Sequence, residues 1–134
     1  MTVSDLHIEI TKRLAAQHQI SAAVEHLHKA ELDCAITLAT AAERLLPDVE
    51  SRQILAYLRD HPLSKQVEID KTIEWLNRSA PSDAATIFEF EAAVVIARAM
   101  RRFAAAYTDV PSEWYDFLSW GVVRRHWPTL PSMK

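Results

Sequence analysis

The sequence predicts an all-α domain of five or six helices, and three observations lead there. Residues 31–46, ELDCAITLATAAERLL, repeat apolar side chains at helical spacing more regularly than any other stretch. Gly121 is the only glycine, so the left-handed backbone positions on which β-hairpin turns rely are scarce. Pro47, Pro62, Pro81 and Pro111 fall between periodic stretches, where they stop or open helices rather than interrupt them.

At 134 residues the chain fits one domain, 1–134, long enough to bury a real core. With 49% hydrophobic and 25% charged residues, its composition is that of a globular protein, not a disordered one. A formal net charge of -3 gives no reason to expect nucleic acid or an acidic membrane as partner. The single cysteine, Cys34, cannot form an internal disulfide and lies on an apolar stripe, where a small buried hydrophobe is expected. No apolar run reaches the ~18 residues of a membrane span, and the opening MTVSDLHIEI lacks the regions of a signal peptide. A bacterial-type cytoplasm is the expected compartment.

Taken in order, residues 1–10 alternate Leu6, Ile8 and Ile10 with polar neighbours, which suits an extended arm, with helix an open alternative. Thr11 is placed to cap a helix through His28, with Ala16, Ile20, Ala23, Val24 and Leu27 on its apolar face. Lys29 and Ala30 are the only break before the helix at 31–46. Leu32, Ala35, Ile36, Ala39, Ala42 and Leu46 form one stripe there, and Cys34, Leu38, Ala41 and Leu45 form a second beside it. A helix apolar over most of its circumference belongs at the centre, with other helices covering it. Further helices are expected at 51–59, from Ser64 as cap to Leu76 before Pro81, and over the segment ending near Tyr107 that carries Ala92, Val95, Ile96, Ala99 and Phe103. Pro111 opens a last helix with Trp114, Phe117, Leu118 and Trp120, and residues 126–134 form an irregular tail.

The candidate sites are sparse. Glu25 and His28 have the Glu-x-x-His spacing by which ferritin-like bundles present metal ligands, yet no second pair completes a di-metal site, so no metal is expected. No cofactor is expected either, because one glycine cannot build a phosphate-binding loop. Arg98, Arg101, Arg102, Arg124 and Arg125, with Trp120 and Trp127 nearby, form the closest approach to a basic patch, and Glu89, Glu91, Asp109 and Glu113, close in sequence, are expected to neutralise it. Trp114 and Trp120 fall on different faces of one helix. Either the tail folds back over one of these tryptophans, or Trp114, Trp120 and Trp127 include surface buried by a second copy; a homodimer is expected.

Two resemblances follow from particular residues. Arg13 and His18 resemble the Arg-x4-His of the HEPN ribonuclease superfamily, in which Arg holds a phosphate while His moves a proton; here Leu14 follows the Arg and the pair sits early in the chain. QISAAVEHLHKAELDCAITLATAAERLL at 19–46, and the later FEFEAAVVIARAMRRFAAAYTDVPSEWYDFLSW, resemble a set of small bacterial helical proteins of no known activity. The function expected from the sequence is a non-enzymatic helical protein that acts through self-association or protein partners, the alternative being a HEPN-like protein that binds or cuts RNA.

Overall fold

The computed structural model describes residues 3–78 and 82–133, and among these the chain forms six α-helices and no strand. They are α1 (Lys12–His28), α2 (Leu32–Arg44), α3 (Arg52–Asp60), α4 (Ile69–Asn77), α5 (Glu89–Tyr107) and α6 (Glu113–Val123). Residues 3–11 precede α1 without regular structure, and the chain beyond α6 runs on as turns.

The first two helices make a tight hairpin, and α1 is capped at both of its ends. Thr11 Oγ1 accepts the Leu14 N–H at 3.1 Å, satisfying one donor left free in the first turn of α1. At the other end Ala30 turns left-handed (φ 60°). The Glu31 N–H then reaches His26 O, and the Ala30 N–H reaches Leu27 O, each at 2.9 Å. Those two bonds define a Schellman motif, which reverses the chain within a few residues. Ala16, Ile20 and Ala23 of α1 and Ala35, Ile36, Ala39 and Ala42 of α2 are buried, and their small side chains let the helices lie close.

The central place expected of the helix at 31–46 is shared with α5. Helix α2 packs on α1, α4 and α5, while α5 touches α1, α2, α3 and α6. Residues 90–97 of α5 are all buried, which a helix achieves only with neighbours around its whole circumference.

Two buried carboxylates tie these elements together. Glu43 of α2, 5% exposed, accepts bonds from Arg98 Nε at 2.8 Å and Arg98 Nη2 at 3.0 Å. Arg102 Nε lies 3.1 Å from the same carboxylate without hydrogen-bond alignment, and its Nη2 reaches Asp48 at 3.1 Å. Glu91 accepts the Phe88 N–H and the Thr72 hydroxyl, each at 3.1 Å, so it caps α5 and pins α4 to it.

Helix α4 corrects the expected start at Ser64. Residues 62–66 form turns instead, with the Gln66 and Val67 N–H groups folding back on Leu63 O. Lys65 and Gln66 are exposed and give a helix nothing to bury, whereas from Ile69 onward Thr72, Ile73 and Leu76 pack inward. The stop assigned to Pro81 lies outside the described residues. None of the helices formed by the described residues is long and apolar enough to cross a membrane.

Candidate functional site

A cavity of about 550 Å³ opens where the C-terminal ends of α3 and α6 meet. From α3 and the turn after it come Ala56, Tyr57, Asp60, His61 and Pro62; from α6 and its tail come Val122, Arg125, His126, Trp127 and Pro128. Its volume lies within the range of small-molecule sites, roughly 300–1,000 Å³.

The α6 wall exists because of one glycine. Gly121 leaves a recess against which the Trp127 indole packs; a Cβ there would collide with ring atoms Cζ2 and Cε2. The Trp127 Nε1–H donates to Leu118 O at 2.9 Å, so the buried indole keeps its polar atom satisfied. A second Schellman turn brings the chain into position: Arg125 is left-handed (φ 62°), the His126 N–H reaches Gly121 O at 2.8 Å, and the Arg125 N–H reaches Val122 O at 3.0 Å.

His126, 9% exposed, is held by Glu89 at the start of α5, its Nε2 lying 2.6 Å from Oε1. Burial opposes ionisation of Glu89, but hydrogen bonds and charge from Arg124 and His126 outweigh it and hold its carboxyl below the usual range. An ionised Glu89 can only accept, so His126 Nε2 carries the proton and Nδ1 is left without a partner. The His61 ring stacks on Phe90 with centroids 3.6 Å apart and stands 6.2 Å from the His126 ring. Its Nδ1 accepts the Leu63 N–H at 3.0 Å, which fixes the neutral ring as an Nε2–H donor. Burial pushes the Tyr57 hydroxyl above the ordinary phenol range against a smaller opposing contact with Thr129, and its Oη has no aligned partner.

His61 also titrates below the ordinary imidazole range, first because burial disfavours its charged form and then because His126 repels it. The unfolded chain therefore takes up this proton more readily than the folded one. The stability contributed by neutral His61 is present above about pH 6.5 and is lost as pH falls below it. Glu89 is shifted in the same direction, so its contribution is also lost as pH falls, but only at more acidic pH, below the ordinary carboxylate value. Thermal melting between pH 7.5 and 5.5 should accordingly show a steeper decline for the native chain than for His61→Gln; parallel curves would refute this reading of His61.

The residues singled out in the sequence are placed elsewhere. Arg13 and His18 are five positions apart on α1, about 140° around the axis, and Arg13 sits over the Tyr107 ring at 5.4 Å. Glu25 is exposed, His28 packs edge-on to Trp120 at 5.0 Å, and no group of three metal-ligating side chains occurs among the described residues. In the arginine patch, Arg98 and Arg102 pair with Glu43, and Arg124 pairs bidentately with Glu89 at 3.0 Å. The interface assigned to the tryptophans is corrected for two of them. Trp114 is buried against Phe103 and donates to Ser21 Oγ at 3.0 Å, and Trp127, carried back by the tail, is buried at Gly121 against Phe117 and Tyr57. Trp120 remains partly exposed, stacked on Phe117.

Exposed large apolar side chains occur singly at Leu55, Tyr115, Val123 and Leu130 and as a run before α1. Val3, Leu6 (87% exposed), Ile8 (74% exposed) and Ile10 line the segment before α1, and Leu14 continues them onto that helix. Comparison of the chain with protein-family models, curated proteins and solved structures finds no match.

Proposed function

We propose that the protein works through self-association, as a homodimer joined by the segment at residues 3–10. The observation that supports this reading is the exposure of Leu6, Ile8 and Ile10 in strict alternation with Asp5, His7 and Glu9 on a stretch without regular structure. A side chain of this size left in water forgoes roughly 1.5–3 kcal/mol of burial, and such concentrations of apolar surface mark association sites.

A second copy of the same segment fits by charge and by register. In an antiparallel pair centred on Ile8, Leu6 faces Ile10 of the partner copy, Ile8 faces its own counterpart, and His7 faces Glu9 twice. A pair centred on His7 instead sets Asp5 against Glu9, which repels. The Leu6, Ile8 and Ile10 side chains of two arms bring six large apolar groups together, for a gross gain of up to roughly 9–18 kcal/mol. A two-stranded ribbon covers only part of each, while association costs about 4–15 kcal/mol, so micromolar affinity is expected. A reducing compartment such as the cytoplasm suits the unpaired Cys34.

Sedimentation velocity at tens of micromolar is expected to show a dimer for the native chain and a monomer for Ile8→Asp, both equally helical by circular dichroism. A native chain that sediments only as monomer would overturn the proposal.

A further inference from the structure

We propose that the cavity between α3 and α6 binds a small aromatic monocarboxylate, its carboxylate held by Arg125 and the His61 Nε2–H and its ring lodged against Tyr57 and Trp127. This inference stands apart from association through the arm and rests on three features of the cavity wall.

The first is charge. Asp60 is matched by Arg59, 3.1 Å away, and Glu89 by Arg124 and His126. The Arg125 guanidinium, alone among the charged side chains of the wall, forms no ion pair or hydrogen bond with the described residues, so the mouth carries one uncompensated cation. A single anionic group complements it, and a carboxylate matches the planar fork of an arginine in two parallel bonds.

The second feature is the set of polar atoms without partners. Five buried side-chain polar atoms among the described residues lack a hydrogen bond, and two of them, Tyr57 Oη and His126 Nδ1, belong to this wall. Such atoms cost stability, and their concentration at a cavity marks a place where a ligand can complete the network. Tyr57 Oη can donate or accept, and His126 Nδ1 accepts when the ring is neutral and donates when it is charged, so a ring hydroxyl on the ligand, which can do either, suits both.

The third is shape. Tyr57 and Trp127 hold their rings 5.9 Å apart and 31° from parallel, and Val122 with Pro128 completes an apolar lining. Flat ring faces favour a flat ligand by offset stacking. A benzoate-sized acid fits within the volume, whereas inorganic phosphate would leave most of the apolar wall wet.

Isothermal titration of the full chain with 4-hydroxybenzoate tests this, with benzylamine as a ring of opposite charge and inorganic phosphate as an anion without a ring. The acid is expected to saturate a single site in or below the millimolar range and to move the amide resonances of residues 57, 61 and 125–127. Benzylamine and phosphate are expected to bind at least tenfold more weakly. Arg125→Asn, chosen because asparagine tolerates the left-handed backbone, should weaken the acid about tenfold while leaving the helical signal unchanged. His61→Gln, which sits outside the Schellman turn, should weaken it as well and carries the test should the first variant fold poorly. Failure of 4-hydroxybenzoate to saturate, benzylamine binding as tightly, or both variants retaining native affinity would each overturn the assignment.

Discussion

Replacing Gly121 with alanine is expected to destabilise the protein by about 3 kcal/mol, although alanine is the better helix former by about 1 kcal/mol. The added Cβ would occupy the space of the Trp127 ring, and the neighbour in the way is a rigid indole rather than the end of a flexible chain. Trp127 must therefore leave its seat, with a loss comparable to the 3–5 kcal/mol of truncating a buried tryptophan. Its Nε1 bond to Leu118 O, about 1 kcal/mol, goes with it. Calorimetry should record a fall in melting temperature on the order of 10 °C. A melting temperature at or above that of the native chain would show that the indole finds an equivalent seat.

The second large effect is expected from Glu43→Ala. Removal of the carboxylate leaves Arg98 without a partner and Arg102 with only the exposed Asp48, each arginine less than a quarter exposed. Losing one partner of a buried ion pair costs about 3–5 kcal/mol, because the remaining charge is stranded. Most of that penalty reflects the stranded Arg98, so Glu43→Ala combined with Arg98→Ala should cost less than the sum of the two single changes. A coupling of about 1 kcal/mol or more in denaturant titrations is the expected reading. Additive losses would mean that Glu43 and Arg98 stabilise the fold independently.

Helices were legible wherever burial follows a local period. Residues 12–28 and 32–44 announced themselves by caps and stripes, and the long α5 by its alternating small and bulky core residues. The start of α4 was misread because Ser64 is a competent cap in isolation, and only tertiary burial decides that the helix waits until Ile69. The cavity was invisible for a different reason. Tyr57, His61, Glu89 and His126 come from three separate parts of the chain, and no spacing motif links them. Gly121 and Trp127 each drew notice, one as the lone glycine and the other as a surplus aromatic, but their contact is made only when the tail turns back. Likewise Glu43 and Arg98 are 55 positions apart, beyond any helical periodicity.

The two Schellman turns carry a similar backbone burden with different returns. Ala30 and Arg125 both adopt a left-handed conformation that glycine would take without strain, at a cost of about 1 kcal/mol each. At Ala30 nothing on the side chain recovers that cost, so glycine there would be an easy route to a more robust fold. At Arg125 the same exchange would remove the cation from the cavity mouth. A lineage selected only for thermal endurance should therefore drift toward glycine at both positions, whereas one that uses the cavity should yield at 30 and resist at 125, trading durability for recognition at a single residue.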